Sequence, residues 1–331
     1  MKIKWLLVLF LLVASFLGAC SKNQSKDEKI KVRVAEVTRS LFYAPEYVAL
    51  SEGIFEKHGL DVQLTTTWGG DKTMTAILSN GTDIGLVGPE TTLYVYSQQP
   101  KDPVKSFAQL TQTDGTFLVA RNQTGAFNWD QLKKKTFLGQ RKGGMPQMVG
   151  EYVLGNHGID PHKDLKLIQN IDFANIANAY AAGTGDYVQL FEPTASIFEK
   201  EGKGKIVASF GLESGKVPYT AFMAKESYLK KNGKTVQKFS DALYEAQQWV
   251  DSHSAEEIAK SVAPFFKDTP FDISVKVIDR YKSQHSYSTN PILEEDEWNN
   301  LQEIMKNSGE LSKEVPHSEL VDTKFALKST K

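Results

Sequence analysis

Two glutamates stand at matching places in the chain, Glu90 in Gly88-Pro89-Glu90-Thr91 and Glu192 in Glu192-Pro193-Thr194, each just after a short apolar run. Both positions read as helix starts, where the macrodipole favours a carboxylate even with no ligand present. As a pair facing one cleft they would repel an anion, because each charge must be desolvated beside another negative group, and they would suit a ligand carrying amino or ring N–H donors. Arg39 and the loop Arg141-Lys142-Gly143-Gly144-Met145 pull the other way. Arginine beside bare backbone N–H groups at a helix start is how a sulfonate or phosphate is held; the alternative is that these are ordinary solvated loop cations. Stacking surfaces are available as well. Trp68 sits beside Gly69-Gly70, where an indole can lie on a planar ligand and contribute roughly 0.5 to 1.5 kcal/mol beyond area burial; the competing role is a core tryptophan. Phe42 and Tyr43 lie in the first strand-to-helix loop, either as cleft walls or as the lid of their own helix, and Tyr219 stands in a second crossing segment.

The elements that position these residues follow from apolar spacing. Ile30, Val32, Val34 and Val37 predict a first strand, Tyr47, Leu50 and Ile54 a helix over 44–58, and Val62 and Leu64 a second strand. Asp71 is expected as the N-cap of a helix carrying Met74, Ile77 and Leu78, which stops at Asn80-Gly81. The run Asp83 to Val87 is of buried-strand type, and Gly88-Pro89 opens the next helix. This βαβαβα order is the doubly wound pattern, in which helix N-termini and strand ends converge on a small ligand. A second region repeats it: strands over 136–139, near 165–168 and over 187–191, with helices opening at Pro146, Asp172 and Pro193. The sequence Gly185-Asp186, strand, Glu192-Pro193-Thr194 echoes Gly81-Thr82-Asp83, strand, Pro89-Glu90-Thr91. The expected architecture is therefore α/β with two lobes, each a mostly parallel sheet flanked by helices: 30–115 plus 223–331 as one, 122–208 as the other. Crossing segments are expected near 116–121 and 209–222, and a helical C-terminal region over the last hundred or so residues.

Composition narrows the classes of function. A chain of 331 residues with 40% hydrophobic side chains can build two medium domains, and a net charge of -1 offers no electrostatic case for nucleic acid. None of the six histidines pairs at metal-ligand spacing, so neither a metal nor any other cofactor is expected. Lys2 and Lys4 precede an uncharged apolar run, Trp5 to Phe16, of signal-peptide length, and 1–19 reads as an export signal. Leu17-Gly18-Ala19-Cys20 resembles a bacterial lipobox, whose cysteine carries diacylglycerol and becomes the mature N-terminus. Residues 20–29 then form a polar tether, and the protein is expected to sit at the outer side of the cell membrane through the lipid on Cys20. Cys20 is the only cysteine, which removes disulfides and thiolate chemistry from the folded part.

A family resemblance joins these readings. Ala44-Pro45-Glu46-Tyr47-Val48-Ala49, Glu52-Gly53-Ile54-Phe55, His58-Gly59-Leu60-Asp61-Val62 and Asn80-Gly81-Thr82-Asp83-Ile84-Gly85 together resemble the substrate-binding proteins of ABC importers for thiamine-type pyrimidines, sulfonates such as taurine, and nitrate. The resemblance covers nearly all of 30–327 and implies a type II periplasmic-binding-protein fold. It further implies a monomer without enzymatic activity that hands a small-molecule ligand to a permease and its ATPase. Pyrimidine-binding members carry a Trp- and Asn-rich first loop, where this chain has Thr38-Arg39-Ser40-Leu41. A fungal pyrimidine synthase shares the fold but resembles a cysteine-rich, iron-using version, which a chain whose one cysteine is spent on lipid does not match. The ligand read from the residues is a nitrogen heterocycle of the thiamine-pyrimidine kind, with a sulfonate or nitrate-type anion as the alternative.

Overall fold

The computed structural model describes residues 29–331, so the export segment and Cys20 lie outside the described residues. In the first sheet β1 (Ile30–Glu36) runs parallel to both β2 (Leu60–Thr66) and β3 (Ile84–Val87), with Val34 in register with Leu64 on one side and Ile84 on the other. Strand β10 (Thr220–Lys225) is antiparallel to β3 and to β4 (Val104–Thr111), giving the order β2-β1-β3-β10-β4. In the second sheet β6 (Thr136–Leu138) is parallel to β7 (Lys166–Ile168) and to β8 (Tyr187–Phe191). Strand β5 (Thr116–Ala120) is antiparallel to β8 and to β9 (Lys205–Ser209), and the order is β7-β6-β8-β5-β9. Both sheets thus place three parallel strands beside one antiparallel strand and close with a fifth. The echo between the two Asp-strand-Pro-Glu stretches is a repeat of whole sheets.

The structure refines several local expectations. The segment 116–121, expected as a crossing strand, is β5, and 209–222 leads from the end of β9 in the second sheet to β10 in the first; β5 and β10 are each the fourth strand of their own sheet. Strand β4 escapes the sequence reading because Lys105, Ser106 and Gln109 interrupt its apolar run. Ser106 and Gln109 are nevertheless fully buried, and Gln109 is matched by a 2.7 Å hydrogen bond from its Nε2 to the carboxylate of Glu297. The helix expected over 44–58 is broken into Ala44–Ser51 and Ile54–Lys57 by Gly53, whose φ of 66° is open to glycine. Gly69, not Asp71, is the N-cap of the helix Gly70–Leu78, and Asp71 lies in its first turn.

The C-terminal region is helical as expected, and its longest helix, Gly233–Ser252, packs on Ala44–Ser51 and on Lys324–Ser329. Most buried apolar side chains form one cluster that passes from sheet to sheet, and a smaller cluster gathers Met74, Ile77, Val87, Val104 and Met223. The crossing point of the larger cluster is aromatic: the Phe42 ring lies 5.0 Å from that of Tyr281 and 5.6 Å from Tyr219, and Tyr281 lies 5.9 Å from Phe117 on β5. The hydroxyl of Tyr281 donates to the carbonyl of Gly115 at 2.8 Å, in the short crossing between β4 and β5. No helix of the described residues is long and apolar enough to cross a membrane.

Candidate functional site

The parallel strands of both sheets end on one cleft. Past β1 come Val37 and Thr38, past β3 Gly88, past β6 Gln140, and β8 ends at Phe191; all of these line a cavity of about 370 Å³. That is the edge at which open α/β sheets bind ligands, because strands stop there and helices begin. Of the residues singled out in the sequence, the structure brings eleven to this cavity: Tyr43, Gly69, Gly70, Gly88, Glu90, Thr91, Arg141, Gly143, Gly144, Met145 and Tyr219.

Glu90 is the chemically informative member. It opens the helix Glu90–Ser97, is 4% exposed, and its Oε2 has no hydrogen-bond partner. The carboxyl folds back over Gly88, where a Cβ would lie 2.0 Å from Oε2, so only glycine leaves room for it. Burial pushes the Glu90 carboxyl up to about 8, against the pull of the backbone N–H groups of Glu90 and Met145, which favour the ionised form. A buried carboxyl held near neutrality with a free acceptor oxygen suits a ligand that brings an N–H donor.

Aromatic and sulfur-bearing side chains surround it. Tyr43, Tyr94, Tyr219, Phe173 and Phe191 line the cavity together with Met74 and Met145. The Tyr219 hydroxyl is buried without a geometric partner, and beside it the Asp114 carboxyl is pushed by burial up to about 7, with the Thr116 N–H and hydroxyl holding its other oxygen. Tyr94 was accessible to sequence reasoning, since it lies four residues after Glu90 and hence on the same helix face. Phe173, Phe191 and Gln140 carried no such signal. They reach the cavity only because the second sheet faces the first.

The cationic loop is differently employed. Arg141 lines the cavity mouth, but its guanidinium lies 3.1 Å from the Asp71 carboxylate and 3.7 Å from that of Asp172, and Lys142 lies 4.0 Å from Glu310. Gly143, with φ of 89°, donates its N–H to the Gln147 side chain at 2.9 Å. The N–H just before the N-cap of the helix Met145–Asn156 is thereby occupied from within the protein.

Four expected site residues lie outside this cavity. Phe42 is fully buried in the aromatic crossing, since the cluster of Tyr43, Tyr219, Phe191 and Tyr281 encloses it. Glu192 is 1% exposed and turned to its own helix: it accepts from the backbone N–H and hydroxyl of Ser196, both at 2.8 Å, and pairs with Arg280. The bland role of a helix-start glutamate holds for Glu192, and the pair of facing carboxylates reduces to Glu90 alone. Arg39 is engaged by Glu36 at 3.0 Å and by Thr66 at 3.3 Å, with its guanidinium over the rings of Tyr47 and Phe265. Trp68 is half exposed beside a neighbouring depression rather than in the core.

Two sheets of one strand order, a ligand-sized cavity at their facing strand ends and short crossings between them define a periplasmic-binding-protein fold. The chain belongs to the NMT1-like family, which it matches over residues 25–263. It is 62% identical to YtlA of Bacillus subtilis (strain 168), which carries a provisional description as a binding protein, over 99% of this chain and 98% of that one. Among solved structures it is similar to the alkanesulfonate-binding protein SsuA of Xanthomonas axonopodis pv. citri bound to MOPS, at 17% identity and a TM-score of 0.70 over 89% of this chain and 99% of that one. The periplasmic nitrate-binding protein NrtA of Synechocystis PCC 6803 is similar at 17% identity and a TM-score of 0.70, covering 92% and 89% of the two chains.

Proposed function

We propose that this protein is the solute-binding lipoprotein of an ABC import system, held at the outer face of the membrane by Cys20, and that its cargo is a flat nitrogen-rich heterocycle of the thiamine-pyrimidine kind. In this reading the lobes 30–115 plus 223–331 and 122–208 close on the solute and present it to the permease, and the ligand stabilises the closed arrangement. The observation that carries the reading is Glu90: a buried carboxyl with a free acceptor oxygen in an aromatic-walled cavity. An amino group and an adjacent ring nitrogen would meet it as a matched pair, while Tyr43, Tyr219 and Phe191 supply flat apolar surface.

The second reading is a sulfonate or similar anion. Arg141, Gly143 and Gly144 at the cavity mouth favour it, and so do the cargoes named for the Xanthomonas and Synechocystis proteins. Against it stand the neutralisation of Arg141 by Asp71 and Asp172 and the absence, among the cavity's lining residues, of a buried cation. Calorimetric titration of the purified protein with 4-aminopyrimidine and with taurine tests the choice. Binding of 4-aminopyrimidine and not of taurine is expected; the opposite selectivity would overturn the heterocycle reading.

A further inference from the structure

The ligand cavity does not end at its own walls. Thr38, Gln140, Phe173 and Phe191 each also line a second cavity of about 340 Å³, whose lining includes Trp68 and Phe265. Arg39 is paired with Glu36 and Glu192 with Arg280, and the other two charges of the lining, Lys267 and Asp268, are exposed, adjacent and opposite in sign. The aromatic lining of this cavity is Trp68, Phe173, Phe191, Phe265 and Phe266.

Trp68 gives the second observation. It holds a left-handed backbone with φ of 60°, which is uncommon for a bulky side chain, and it leaves half of its surface in solvent. An exposed indole kept in an unfavourable conformation beside a cavity is a candidate for function.

We propose that the second cavity is an extension subsite of the ligand site, which takes a second flat, uncharged ring of the same solute against Trp68. The inference rests on the heterocycle reading above: the first ring sits at Glu90, the linker passes Phe173 and Phe191, and the second ring lies between Trp68 and Phe265.

The test compares 4-aminopyrimidine with the same ring carrying a benzyl group at C5, titrated calorimetrically into the native protein and into the Trp68→Ala and Trp68→Phe variants. The native protein should bind the benzyl compound about tenfold more tightly than 4-aminopyrimidine. Trp68→Ala should remove that advantage while leaving 4-aminopyrimidine binding within about twofold, and Trp68→Phe should restore most of it. Equal affinity of the native protein for the two compounds, or a Trp68→Ala variant weakened equally towards both, would overturn the subsite while leaving the Glu90 site standing. If neither compound binds, the heterocycle reading falls and takes the subsite with it. Because Trp68 is half exposed, the variants are expected to fold, and unchanged thermal unfolding checks this.

Discussion

Arg141 and Asp71 meet across the mouth of the cavity, Nη2 to Oδ1 at 3.1 Å, although one follows a strand of the second sheet and the other opens a helix on the first. About half of each side chain remains exposed, so the pair is screened and is worth no more than about 1 kcal/mol. Its significance is geometric, because it joins the two lobes at the point where a solute would enter. It also removes the most prominent cation of the cleft from service to an anion.

Replacing Arg141 by glutamine should therefore weaken 4-aminopyrimidine binding by less than about fivefold, with a smaller difference at high salt. Titration at two ionic strengths measures both effects. Complete loss of binding would mean that Arg141 holds the ligand directly.

The two glutamates should part company. Glu90→Gln is expected to weaken 4-aminopyrimidine binding by about one to two decades, the loss of a charge-assisted bond of roughly 1.5 to 3 kcal/mol. Glu192→Gln should leave binding within about threefold but lower the unfolding free energy by about 2 kcal/mol, because Arg280 and Ser196 lose their shared acceptor. Calorimetry and urea unfolding on the same two variants separate a ligand contact from a structural one.

Glu90 also sets a pH dependence. Its folded value of about 8 lies above the ordinary 4.5, so the ligand-free folded state holds a proton that the unfolded chain releases. Stability should be greatest below about pH 4.5 as far as this group is concerned, fall as pH rises to about 8, and level off beyond. Binding of a neutral aminopyrimidine keeps one proton between ring nitrogen and carboxyl, so affinity should drop by about tenfold per pH unit above about 8 and Glu90→Gln should flatten the profile. Affinity that climbs through pH 8 would instead point to a permanently cationic solute.

Phe42 is assigned to the core, and its truncation should cost stability first. Phe42→Ala is expected to lower the unfolding free energy by about 3 to 5 kcal/mol, as for other large buried aromatics. Gly115→Ala should also destabilise, because its Cβ would lie 2.9 Å from the Phe42 ring. Denaturant unfolding is the measurement, and a loss below about 1 kcal/mol for Phe42→Ala would show that the ring is not part of the packed crossing.

Cys20→Ala should release the protein from membranes or leave it unprocessed, which fractionation and acyl labelling report. An unchanged membrane fraction would remove the anchor from the proposal.

What the sequence carried by itself was local and periodic. Alternating and helical apolar spacing gave β1, β2, β3, β6, β7 and β8 and the helices between them, and glycine followed by proline placed Glu90 at a helix start, because short-range sterics and hydrogen bonding act within a few residues. The expected convergence of Gly69, Gly88, Glu90 and Arg141 followed from the rule that ligand edges lie at strand ends. The fate of a side chain at such an edge is a different matter, since it depends on what the rest of the chain brings opposite. Glu90 and Glu192 occupy equivalent sequence contexts, yet Arg280, from a helix nearly ninety residues further on, neutralises only Glu192. Phe42 and Tyr43 are neighbours, yet the ring of Tyr281 encloses the first while the second lines the cavity. Strand β4 was hidden by its polar residues until Glu297 supplied a partner for Gln109. In each case a contact between residues far apart in the chain decided the outcome, through desolvation or charge pairing that no local window contains.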